Sequence, residues 1–145
     1  VGAVDFSEWA APALTLTYGE HVYEVQPPSV DAAKRILAAA VRGEVKLGLV
    51  QAEVPEEIQA ILDRIGPDDH PALGADVYQQ MVADGLPQVT IDRMAYYATF
   101  YWARGREYAD MLAKILWLPR EEPTEGSGGA APKGSSRRRT GRRTG

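Results

Sequence analysis

Leu14-Thr15-Leu16-Thr17-Tyr18-Gly19-Glu20-His21-Val22-Tyr23-Glu24-Val25 is the stretch whose reading decides the fold. Two β-prone runs flank Gly19-Glu20, and a two-residue Gly-X loop suits a type II′ hairpin because glycine accepts the positive φ. Pairing across that turn sets Leu16 against Tyr23 and Leu14 against Val25 on one face. Thr15 opposite Glu24 and Thr17 opposite Val22 share the other, so one side is apolar. A two-stranded hairpin is not stable alone, so this face must pack on helices.

Helices are indeed what the flanking sequence predicts. Upstream, Asp5-Phe6-Ser7-Glu8-Trp9 fits one helical turn ended near Pro12. Downstream of Gln26-Pro27-Pro28, Ser29 or Asp31 can cap a helix through Val41, with Ala32, Ile36, Leu37, Ala40 and Val41 at helical spacing and Gly43 as its stop. Pro55, Glu56 and Glu57 open a second helix whose stripe is Ile58, Ile61, Leu62 and Ile65, closed by Gly66-Pro67. Leu73 to Ala83 forms a third, with Val77, Tyr78, Met81 and Val82 on one side. Asp84-Gly85-Leu86-Pro87 ends it, Gly85 in the left-handed position and Pro87 just beyond. From Thr90 the beat of Met94, Ala98, Tyr101, Gly105, Tyr108, Leu112 and Ile115 predicts one helix of about 27 residues, ~40 Å long at ~1.5 Å per residue. The alternative is a break at Gly105 into two packed helices, since glycine costs about 1 kcal/mol inside a helix. No repeat at solenoid periods is present.

Composition bounds the class. The chain has 145 residues, 16 Lys plus Arg, 20 Asp plus Glu, and no cysteine. A disulfide scaffold and a cysteine-ligated metal site are therefore excluded. No stretch approaches the ~18 apolar residues of a membrane span, and the N-terminus lacks a basic region followed by an apolar core, so a soluble, non-exported protein is expected. Charge is split: residues 1–118 carry 9 basic and 17 acidic groups, residues 119–145 carry 7 and 3. From Pro119 onward come three Pro, six Gly and no aromatic, a composition that predicts a disordered extension with a hinge at 126–129. The expected fold is mainly α (α+β): a helical domain of about four helices with an N-terminal β-hairpin over 1–118, then a disordered basic tail, 119–145.

Catalytic chemistry is hard to find. His21 lies at the hairpin turn and His70 in an Asp-Asp-His-Pro loop, and both read as solvated loop histidines. Asp68, Asp69 and His70 lack a fourth metal ligand at any standard spacing. Lys133 precedes Gly134, the reverse of a phosphate-binding loop. No catalytic residue, metal or cofactor is assigned, and a non-enzymatic protein is expected.

Two features point to partners. Arg137, Arg138, Arg139, Arg142 and Arg143 can neutralise phosphates, but without interleaved aromatics any nucleic-acid binding would be non-specific. Tyr96, Tyr97, Phe100, Tyr101 and Trp102 place five rings within seven residues, more than one helix face can hide. Either that helix is central and packed on several sides, or its exposed rings, with Tyr108, form a partner-binding or self-association surface.

The span Leu73 to Trp117 resembles the tail assembly chaperones of siphophages that infect actinobacteria. Leu73-Gly74, Met81-Val82-Ala83-Asp84-Gly85-Leu86-Pro87, Ile91, Arg93, the aromatic helix, Gly105-Arg106-Glu107, Ala109 and Trp117 carry the likeness. The hairpin, the Pro-Pro turn, the Ala-rich helix and the Gly/Ser/Arg tail agree with it. The resemblance implies a non-enzymatic bacteriophage morphogenesis protein, the short un-frameshifted product of a gene whose programmed frameshift yields a longer one. It would act in the host cytoplasm, be absent from the mature virion, and keep the tape measure protein soluble during tail tube assembly. A longer frameshifted form would recruit the tail tube protein. Gly19, Gly85, Pro87 and Gly105 read from their local sequence as turn and packing residues. The alternatives are a nucleic-acid-binding accessory protein acting through the Arg-rich tail, or a minor virion protein.

Overall fold

The computed structural model of the chain describes residues 2–117. The chain divides into two compact units, Val1–Ala109 and Asp110–Gly145. The predicted boundary at 118/119, the hinge at 126–129 and the cluster Arg137, Arg138, Arg139, Arg142 and Arg143 lie outside the described residues.

Among the described residues the fold is mixed α+β, with five α-helices and one two-stranded antiparallel sheet. A 3₁₀ turn over Phe6–Trp9, capped by the Asp5 carboxylate on the Ser7 N–H, precedes β1 (Leu14–Tyr18) and β2 (His21–Val25). The strands pair in the predicted register, Leu14 opposite Val25, Leu16 opposite Tyr23 and Tyr18 opposite His21, around Gly19 at φ 61°. Leu14, Tyr23 and Val25 are buried. They share a core with Ile36 of α1 (Val30–Lys46), Val77 and Met81 of α3 (Ala75–Ala83), and Ile91 and Ala98 of α4 (Gln88–Arg104). The helices demanded by the hairpin's apolar face are thus present. α1 also packs against α4 and against α2 (Glu56–Leu62).

Helix ends follow local chemistry. Ser29 caps α1, its hydroxyl accepting from the Ala32 N–H at 3.2 Å. Gly85, at φ 76°, stops α3 as predicted: its N–H donates to the Val82 carbonyl at 3.0 Å and the Leu86 N–H to that of Met81 at 3.1 Å. The buried pair Leu86 and Met81 closes the motif from the apolar side. Pro87, extended, then opens α4, and its carbonyl accepts from Thr90 and Ile91.

Three expectations are corrected. Gly43 does not stop α1, which runs on to Lys46. A Cβ at Gly43 would lie 3.1 Å from both Phe100 Cζ and Tyr96 Oη, so this glycine is chosen for close helix approach, not for termination. Ile65 lies beyond α2, which ends at Leu62. The helix predicted to cross Gly105 is broken there, giving α4 and α5 (Arg106–Leu116) and five helices in place of about four. Gly105 sits at φ 102°, ψ 167°, a region that residues with a Cβ avoid. The 3.6-residue beat survives the break, which is why periodicity missed it. Within the second unit the described residues complete α5, the Trp117 N–H donating to the Ala113 carbonyl at 2.8 Å.

A Cβ at Gly105 would meet no atom within 4 Å, so a substitution there changes backbone energy alone. Gly105→Ala is expected to lower the unfolding free energy by about 1–3 kcal/mol. Urea unfolding followed by circular dichroism measures this, and an unchanged midpoint would show that the backbone angle at this residue is dispensable.

Candidate functional site

The aromatic run divides over two sides of α4. Tyr97, Tyr101 and Trp102 pack against the hairpin core, the Trp102 Nε1–H donating to the Ala72 carbonyl at 3.2 Å. Tyr96 and Phe100 meet edge to face at 5.1 Å beside Gly43 of α1, and Phe100 stacks on Tyr108 at 5.8 Å. Phe100 is buried; Tyr96, Tyr97, Tyr101, Trp102 and Tyr108 are half-buried, and the Arg106 guanidinium lies 5.1 Å from the Tyr101 ring centre. None of the six is an exposed ring. Both sides of α4 that carry them are packed, and five of the six keep part of their surface open, so these rings build the interior and reach its edge.

Beside that seam lies a buried polar group that sequence reading missed. Glu44 is only 5% exposed. Arg104 grips it with two parallel bonds, Nε to Oε2 at 2.9 Å and Nη2 to Oε1 at 2.8 Å, while the Tyr108 hydroxyl donates to Oε2 at 2.7 Å. The Arg104 bonds hold the Glu44 carboxyl below its ordinary value of 4.5 against the opposing effect of burial. Burial, then the bond to Glu44, pushes the Tyr108 phenol up to about 12. A second clamp joins sheet to helix: the Tyr23 hydroxyl donates to Asp84 at 2.8 Å, and burial followed by that bond raises Tyr23 to about 12. His21 Nδ1 lies 3.4 Å from the same carboxylate. Sixty residues separate Glu44 from Arg104, so no local spacing could announce the pair. Extending α1 beyond Gly43 would have exposed the signal, a carboxylate next to a helix–helix contact.

Asp69 and His70 are also occupied. Asp69 accepts from Arg35 at 2.8 Å, and the His70 ring lies 4.4 Å from that of Tyr78. Among the described residues no group of three or more His, Asp or Glu side chains could hold a metal ion, and no helix is long and apolar enough to cross a membrane.

What remains open is surface. A cleft of about 330 Å³ runs between the C-terminal half of α1, the 65–72 loop and the start of α4, with Gly43, Leu47, Ile65, Ala95 and Tyr96 in its walls and Arg42 and Lys46 along α1. Past it, Leu47, Leu49 and Val50 are consecutive exposed apolar positions around Gly48. Phe6 and Trp9 form a second exposed apolar group near the N-terminus.

A family described as a domain of unknown function (DUF7426) matches residues 4–145. The chain belongs to that family. No curated protein and no solved structure matches the chain. The bacteriophage, virion-assembly, tail-morphogenesis, tail-assembly-chaperone and programmed-frameshift identities implied by resemblance are corrected accordingly. The family that matches is one of unknown function, and no curated or solved relative supplies those identities.

Two titration predictions follow from the clamps of this family member. Glu44 has a lowered folded-state pKa, so its stabilisation is complete above 4.5 and is lost as pH falls below that value. Glu44→Gln is expected to cost about 2 kcal/mol at pH 7, less than the ~3–5 of a fully buried pair, because Arg104 keeps 35% of its side chain in water. The gap between variant and wild type should close below pH 4.5 in denaturant unfolding measured across pH. A gap independent of pH would assign the loss to packing. Tyr23 and Tyr108 have raised values, so their contribution is complete below 10.0 and is lost as pH rises through about 12. Phenolate absorbance should therefore show Tyr23 and Tyr108 ionising only as pH nears about 12, together with unfolding. Ionisation of all seven near 10.0 in the folded protein would contradict both clamps.

Proposed function

We propose that the domain is a non-enzymatic holding protein that binds an apolar helical segment of a long partner and keeps it in solution. The tape measure protein, the partner the resemblance implies, is the proposed client, and the holding takes place in the cytoplasm. The observation that carries this reading is the exposed run Leu47, Leu49 and Val50, three large apolar side chains held in water around one turn. An amphipathic helix laid against such a surface gains burial without nucleotide, metal or bond-making. The polar groups inside the domain support a binding role over a catalytic one. The Glu44 carboxylate has both its oxygens engaged, and the Tyr23 phenol is spent on Asp84. A general base needs a free lone pair within reach of a substrate proton, and Glu44, 5% exposed and bonded through both oxygens, is poorly placed to act as one.

Co-expression of the full chain with the tape measure protein from the same genome tests the reading. The client is expected to be insoluble alone and soluble, co-eluting, with its partner. Leu49→Ser with Val50→Ser should abolish that rescue while circular dichroism stays native, because both side chains are already exposed. No rescue by the wild type would overturn the proposal. Salt-dependent retention on RNA that vanishes when 119–145 is removed would then put the arginine cluster in its place.

A further inference from the structure

The cleft beside Gly43 has an uneven charge distribution. Asp69 is paired with Arg35 at 2.8 Å, and Asp92, on the α4 wall, accepts from the neutral Gln88 amide at 2.9 Å and keeps its charge. Its two cations, Arg42 and Lys46, stand four residues apart on α1, and neither has an ion-pair partner among the described residues. An occupant should therefore bring large apolar groups for the walls and two carboxylates for the α1 rim.

Such a segment exists in this chain. Val4-Asp5-Phe6-Ser7-Glu8-Trp9 alternates acids and rings, and no residue of its 3₁₀ turn is buried. Residues three apart eclipse in a 3₁₀ turn, so Asp5 and Glu8 line one side and Phe6 and Trp9 the next. The two rings meet edge to face at 5.2 Å, yet Phe6 is 69% and Trp9 66% exposed. Two large rings presented together to water are the composition of an interface anchor, not of a solvated arm.

We propose that the cleft of one copy receives Val4–Trp9 of a second copy, with Phe6 and Trp9 against the apolar walls and Asp5 and Glu8 facing Arg42 and Lys46. Exchange in both directions closes a two-fold dimer and leaves no cleft or arm unmatched. The client reading shares Leu47 with this cleft but is tested at Leu49 and Val50, which take no part in the arm contact.

Sedimentation velocity on the full chain over a range of concentrations tests the exchange. The wild type is expected to dimerise. Phe6→Ser with Trp9→Ser, and separately Arg42→Glu with Lys46→Glu, should each weaken the dimer by at least about tenfold. Asp5→Lys with Glu8→Lys should weaken it as well. Mixing that variant with Arg42→Glu, Lys46→Glu sets opposite charges at both contacts of the heterodimer, one of them the native pairing, and a heterodimer tighter than either homodimer is expected. All six positions are exposed, so circular dichroism should remain native. A wild type that stays monomeric, or variants that dimerise as tightly as the wild type, would overturn the proposal. Client rescue is expected to persist in the Phe6→Ser, Trp9→Ser variant, so loss of one property is read apart from loss of the other.

Discussion

At Gly43 the backbone of α1 has room for a hydrogen and for little more, because Phe100 and Tyr96 of α4 occupy the space a Cβ would need. That approach brings the main chain of α1 onto the rings of α4, and it also desolvates the next residue. Glu44 would be an expensive group there if it were alone. Arg104 at the end of α4 and Tyr108 in the first turn of α5 make it affordable, and both need the chain to bend back near Gly105. In a continuous helix, Phe100 and Tyr108 would be separated by ~12 Å along the axis, at ~1.5 Å per residue. Their ring centres are 5.8 Å apart, so the break at Gly105 and the close contact at Gly43 belong to one arrangement.

Some of this was legible and some was not, for reasons that differ in kind. The hairpin register could be read because a strand has a period of two and a two-residue turn admits one pairing, and every predicted partner is found. Ser29 and Gly85 could be read because caps act within three or four residues of themselves. Gly43 and Gly105 have the same side chain and exchanged the roles expected of them. A glycine inside an apolar beat can mark a stop, a close contact or a bend, and only the element packed against it decides. Glu44 was invisible for a related reason, its partners being set by tertiary contact and not by sequence spacing.

The aromatic run carries the same lesson into function. Five rings in seven residues exceed one face of a helix, and the inference that some must leave the main stripe was sound. They leave it toward a second packed surface. Tyr97, Tyr101 and Trp102 serve the hairpin core, while Tyr96 and Phe100 serve the seam with α1. Ring density marks a helix packed on two sides, and the large apolar groups most open to water are aliphatic or lie toward the N-terminus.

That partition has a consequence for how binding and folding are coupled. The side chains that hold this domain together are engaged inside it in the folded state: Phe100, Tyr108, Glu44 and Arg104 with one another, and Tyr23 with Asp84. The side chains available to partners, Phe6, Trp9, Leu49 and Val50, stand outside that core and keep 43% to 69% of their surface in water. A domain divided in this way can change or lose its contact surface at little cost in stability. The loss of a partner would then leave a folded protein with exposed apolar groups instead of an unfolded chain. The acidic charge of residues 1–118, 17 carboxylates against 9 cations, is what would keep such a surface from indiscriminate association. Against that background, two adjacent uncompensated cations at the mouth of an apolar cleft favour acidic, aromatic segments over other apolar ones. Charge selects at the cleft, and apolar area alone acts at the Leu47–Val50 turn, so the two surfaces suit different occupants.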